Sequence, residues 1–148
     1  MSRTRRSVLA VILAGALAGA GGGVAFALAA RAASAGGEGR STVVVTVRHS
    51  RFSPEQIRVP AGTAVHFVIR NQDPIAHEFI LGPPAVHERH ERGTEARHGA
   101  VPGEVSVGNG EQAETTYVFR EPGTMVFACH LPGHFAYGMR GEVVVTPR

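Results

Sequence analysis

The sequence holds one cysteine, Cys129, so no disulfide can form within the chain. Cys129 is therefore a buried spectator, a reactive thiol or a metal ligand. Lysine is absent, and all 15 non-histidine basic residues are arginine. That choice points to a GC-rich genome rather than to a physical demand. No strong helical period runs through the chain, and no internal repeat is visible. With 148 residues the chain has room for one domain and not comfortably for two. A basic binding surface is missing as well, although the pI is near 10.0. Arg3, Arg5, Arg6 and Arg31 all lie near the N-terminus. From Gly36 onward, 11 arginines face 12 acidic residues, a net of −1. Nucleic acid is thereby excluded as a partner.

The N-terminus reads as a targeting segment, residues 1–35. Arg3, Arg5 and Arg6 precede a run of 23 uncharged residues from Val8 to Ala30, followed by small residues at Ala33-Ser34-Ala35. Thr4-Arg5-Arg6 before Val8 and Leu9 resembles a twin-arginine export signal. The run is long enough to span a bilayer, but its Ala/Gly content makes it only mildly apolar. A cleaved signal and a retained membrane anchor, an apolar helix through residues 8–30, both remain open. Either exports the rest of the chain, since the arginines stay on the cytoplasmic side. Residues 36–41 read as a linker.

Beyond the linker the chain changes character. Ile57 and Val59, then Val65, Phe67 and Ile69, stand at alternate positions, the mark of half-buried strands. STVVVTV, HEFIL, EVSV, TTYVF, MVFAC and EVVVT add further short strands. Gly62, Gly108-Asn109-Gly110 and Pro122-Gly123 supply turns. Seven or eight strands at hairpin spacing predict an all-β domain over 42–148, a β-sandwich. Residues 82–103, GPPAVHERHERGTEARHGAVPG, do not fit this pattern. They form a His/Glu-rich insertion longer than a usual strand connection.

Residues 129–139, CHLPGHFAYGM, place the only thiol, an imidazole and a thioether on one Gly/Pro-punctuated loop. Copper suits one thiolate and two imidazoles in a trigonal plane, with a weak axial thioether. The loop offers Cys129, His134 and Met139. The second imidazole must come from elsewhere, and His77 is the best candidate, because it opens the strand HEFIL after the turn-like Asn71-Gln72-Asp73-Pro74. A Cys/His zinc site is the alternative, against which the thioether argues. A dinuclear copper centre needs a second cysteine. A trinuclear cluster needs further His-x-His pairs.

FSPEQIRVPAGTAVHFVIRNQDPIAHEF (52–79) and CHLPGHFAYGM resemble the cupredoxins, the small blue copper proteins. The C-x4-H-x4-M spacing is like that of the rusticyanin and auracyanin branches, whereas plastocyanins have a shorter Cys-to-His gap. The resemblance implies a Greek-key sandwich and one type 1 Cu(I)/Cu(II) ion. It implies His77, Cys129 and His134 as equatorial ligands and Met139 as the axial one. It also implies that His134 is the more exposed ligand and the electron port, ringed by a docking patch of Leu131, Pro132, Phe135 and Ala136.

The other histidines divide into two sets. His49 and His66 are expected on the surface, and His130 as an exposed loop residue pointing away from its neighbouring ligand. His87, His90 and His98 share the insertion with Glu88, Glu91 and Glu95. They read either as a solvated charged segment or as a weak second metal site. The expected function is an exported carrier of single electrons between redox partner proteins, not an enzyme. The alternative is an extracytoplasmic protein that buffers, delivers or confers resistance to copper. A copper nitrite reductase is disfavoured, because it needs a second copper domain.

Overall fold

The computed structural model describes residues 39–93 and 97–148. The expected targeting segment, 1–35, lies outside the described residues. Among the described residues no helix is long and apolar enough to cross a membrane.

Among the described residues, nine strands form two sheets. One sheet holds β1 (Gly39–Arg48), β2 (Arg51–Ser53), β4 (Thr63–Asn71) and β7 (Gln112–Phe119), in the order β2-β1-β4-β7. The other holds β3 (Gln56–Pro60), β5 (His77–Gly82), β6 (Glu104–Val107), β8 (Gly123–Ala128) and β9 (Arg140–Thr146), in the order β3-β9-β8-β5-β6. The pairs β1–β4 and β3–β9 are parallel, and the others are antiparallel. The strand beyond the expected seven or eight is β2. Its three residues bury only Phe52, too short a piece for a period to be read. β1 begins at Gly39, inside the stretch expected to be linker.

Alternation does what the sequence pattern requires. Val65, Phe67 and Ile69 of β4 and Ile57 and Val59 of β3 turn inward to one shared core. Phe67 of the first sheet meets Phe79 of the second at a centroid distance of 5.2 Å, and Phe79 stacks on Phe127 at 5.1 Å. Burying such side chains contributes about 1.5–3 kcal/mol each.

β5 departs from alternation, with all six residues buried. Its outer face is covered by a helix the periodicity did not reveal, α1 (Pro84–Glu91), with Pro84 in the first turn, where a missing N–H costs nothing. The insertion is stitched back onto the sheet. Leu81 N–H donates to Gly103 O at 2.9 Å, and Ser106 N–H to His98 O at 3.2 Å. Within the insertion, residues 84–91 are helix rather than loop, and His87 and His90 are buried while most of the other described residues stay exposed.

Candidate metal centre

The ligand loop is a chain of tight turns between β8 and β9. His134 N–H donates to Leu131 O, and Tyr137 N–H to Gly133 O, both at 2.9 Å. Gly133 and Gly138 have φ of +84° and +85°, conformations that L side chains rarely adopt. Two further bonds close the loop on itself: Met139 N–H to His134 O at 2.9 Å, and Cys129 N–H to Met139 O at 3.1 Å. The backbone thus ties together the three residues singled out on the loop. Cys129 and Met139 are buried and His134 is half-buried.

His77 reaches the same place from the start of β5. Ligand atoms of His77, Cys129 and His134 lie within 4.8 Å of one another, and His134 Nδ1 is 3.2 Å from Cys129 Sγ. His77 is oriented by Asp73, a residue of the preceding turn. Its Nε2–H donates to Asp73 Oδ2 at 3.0 Å. That leaves Nδ1 with the lone pair, buried and without a hydrogen bond. An orphaned, buried acceptor beside a thiol and a second imidazole is what a metal ligand looks like with its coordinating atom free.

Asp73 is itself held from two sides. His49 and Ser50, both at φ 53°, form the β1–β2 turn. Their N–H groups donate to Asp73 Oδ1 at 2.6 Å and Oδ2 at 2.8 Å. Asn71 Oδ1 accepts from Asp73 N–H, while Asn71 Nδ2–H donates to Ile75 O and Gly108 O. Burial alone would raise the Asp73 pKa, but the Ser50 and His49 N–H groups and His77 outweigh it and hold the carboxyl below its usual range. Burial pushes His77 down, against the pull of Asp73, and His134 adds to the fall. The ring is accordingly a neutral donor. The spacing of Asp73 four residues before His77 was visible in the sequence, but its role was not.

Burial pushes the Cys129 thiol up to about 11, with the N–H groups of Glu78 and Leu131 working against it. Glu78 N–H points at Sγ from 3.3 Å. Left alone, the sulfur keeps its proton at neutral pH, so a bound cation must displace it. One thiolate sulfur, two imidazole nitrogens and a buried methionine fit copper better than zinc, for which a thioether is a poor ligand.

His49 and His66 lie at the surface as expected. His130 does not. Its side chain is 1% exposed, because α1 closes over it. His130 Nδ1–H donates to Glu91 Oε1 at 2.6 Å, and its Nε2 faces His87 Nδ1 at 2.9 Å. His87 in turn shares its Nε2–H between Gly82 O and Val126 O, each at 3.1 Å. His87 thus donates to backbone carbonyls and lies against His130, apart from the cluster that His90 and His98 join. His90 and His98 meet Glu104 instead. α1 ends at Glu91, short of His98. Glu88 is exposed, and Glu95 lies outside the described residues.

Comparison with known proteins agrees with this geometry. Residues 20–145 match the model of the cupredoxin-like domain family. The copper-resistant cuproprotein CopI of Rubrivivax gelatinosus is 40% identical over 109 residues, covering 72% of this chain and 66% of that protein. The copper-resistant cuproprotein CopI of Pseudomonas aeruginosa is 31% identical over 157 residues, covering 84% of each. Among solved structures, dithionite-reduced auracyanin from Roseiflexus castenholzii superposes with a TM-score of 0.61 at 23% identity, covering 74% of this chain and all of that one. That likeness concerns the fold alone. Taken with the cluster of thiol and imidazoles at one pole of a two-sheet sandwich, these matches make the chain a member of the cupredoxin family, and copper its metal.

Proposed function

We propose that His77, Cys129 and His134 hold the copper as equatorial ligands, with Met139 on the axis, and that the protein carries single electrons outside the cytoplasm. Bound there, copper supplies a Cu(II)/Cu(I) couple. The chain's part is to hold the donors still. Asp73 fixes the His77 ring, the loop bonds fix Cys129 against Met139, and Glu78 N–H supports the sulfur. A site held this way adjusts little when the charge changes. His134, the half-exposed ligand, is the port. Leu131, Pro132, Phe135 and Ala136 form a docking patch for redox partner proteins. The N-terminal arginines and apolar run support export, as a secreted or membrane-anchored protein. The reading is of a carrier rather than an enzyme.

The single observation that carries this reading is His77 Nδ1, buried and unbonded beside Cys129 and His134. Its test is the absorption spectrum of the copper-loaded protein. Intense blue or green thiolate-to-Cu(II) absorption is expected, and a colourless Cu(II) complex overturns the assignment. Met139→Leu should keep the copper and raise the reduction potential in voltammetry, since Cu(II) loses more than Cu(I) with the axial sulfur. An unchanged or lower potential removes Met139 from the axis.

A second reading, copper buffering, delivery or resistance, is favoured by the description of both relatives as copper-resistant cuproproteins. Cells lacking the protein decide between the two. Greater copper sensitivity with unchanged electron flow supports copper handling, and the reverse supports the carrier.

A further inference from the structure

His90, His98 and Glu104 converge from three separate places on the side of β5 that α1 covers. His90 stands in the last turn of α1, with a side chain 2% exposed. Its Nδ1–H donates to Val86 O at 2.7 Å, so in the neutral ring Nε2 carries the lone pair. That nitrogen lies 3.2 Å from Glu104 Oε2. Neither atom has a partner in hydrogen-bond geometry, and both are buried. An imidazole lone pair and a carboxylate oxygen thus face each other out of water, an arrangement that repels unless a positive charge joins them.

The third donor is His98. Its backbone is pinned to β6, with His98 N–H donating to Ser106 Oγ at 2.9 Å and His98 O accepting from Ser106 N–H at 3.2 Å. Its Nδ1 lies 3.7 Å from Glu104 Oε2, and its Nε2 lies 3.4 Å from Glu78 Oε1. One donor atom from each of His90, His98 and Glu104 falls within 4.8 Å of the other two. The second Glu104 oxygen is taken by Arg89 Nη2 at 2.6 Å. Arg89 offsets the Glu104 carboxylate, and Glu78 adds a second carboxylate beside His98. A cavity of about 400 Å³ between α1 and the ligand loop opens onto His90, His98 and Glu78, so an ion has a way in.

We propose that His90, His98 and Glu104 form a second metal site, separate from the Cys129 centre, that takes a divalent first-row ion, Cu(II) in preference to Zn(II). Two imidazoles and a carboxylate suit both ions, and the usual order of affinities places Cu(II) first. With no sulfur among the donors, the second ion lacks the intense thiolate colour. The site stands whether the Cys129 centre serves electron transfer or copper handling.

The test is titration of the purified full chain with copper sulfate, following bound metal per chain after desalting, thiolate absorption and electron paramagnetic resonance. Two copper ions per chain are expected. The second should add a spin signal with nitrogen couplings and no thiolate band. His90→Gln with His98→Gln should weaken the second ion at least ten-fold and leave the thiolate band at full strength, which also certifies folding. Glu104→Gln, which keeps the side-chain shape, should weaken it in the same sense and serves if the double variant fails to fold. One copper per chain in the wild type, or a second ion held equally well by the variants, overturns the proposal. Zinc sulfate displacing the second copper at equal concentration overturns the assignment to copper.

Discussion

The chain gathers histidines in two places, and the two are built in opposite ways. At the pole of the sandwich, Cys129, His134 and Met139 come from one eleven-residue loop, and only His77 arrives from elsewhere. On the outer side of β5, His87, His90, His98 and His130 come from α1, the segment after it and the ligand loop, and their carboxylate partners from α1, β5 and β6. At the pole a short turn fixes the spacing of the donors, so it can be read along the chain. On the outer side the contacts exist only because α1 folds down onto β5. Adjacency in sequence therefore misleads there. His87 and His90 share a helix, yet His87 donates to carbonyls and lies against His130 while His90 meets Glu104.

Substitutions at the two places sharpen that contrast. The largest effect belongs to Cys129→Ser, which should abolish the thiolate absorption of the copper protein altogether. A variant that keeps the colour breaks the distinction between a thiolate pole and a thiolate-free flank. Next is Asp73→Ala, which frees the His77 ring and strips the partners from the His49 and Ser50 N–H groups. Loss of such a supporting carboxylate should weaken copper binding at the pole about 10–100-fold, measured by competition with a chelator. Unchanged affinity would mean that β5 alone orients His77.

His87→Ala tests the flank. It removes the N–H that Gly82 O and Val126 O share and the ring that packs against His130. A loss of about 1–3 kcal/mol in denaturant unfolding is expected, with the copper count per chain unchanged. A lost copper would return His87 to the ligands. The smallest effect should be that of Glu91→Gln, because the Glu91 side chain is 51% exposed and water screens its contact with His130. Less than about 1 kcal/mol of stability is expected, read from the same unfolding curves. A larger loss would show that α1 is held down mainly through this pair.

Much of this molecule can be read from its letters, for reasons particular residues make plain. Val65, Phe67 and Ile69 alternate because one face of β4 meets a core, and that period predicts the strand. CHLPGHFAYGM predicts a metal loop because a thiol, an imidazole and a thioether are forced together by turns that span only a few bonds. Other features have no such local cause. Asp73 becomes the support of His77 only when the β1–β2 turn brings two N–H groups to it from more than twenty residues away. His130 sits beside a ligand, and the strand rule sends it outward. What lies outward is α1 rather than water, so it is buried. Glu104 looks like an ordinary acid at the head of a strand until β6 sets it against His90 and Arg89. The sequence by itself determined the sandwich, the metal loop and the donors a copper ion would need. The tertiary structure alone decided which histidines face each other on the flank, because those contacts join residues whose separation along the chain carries no information about their separation in space.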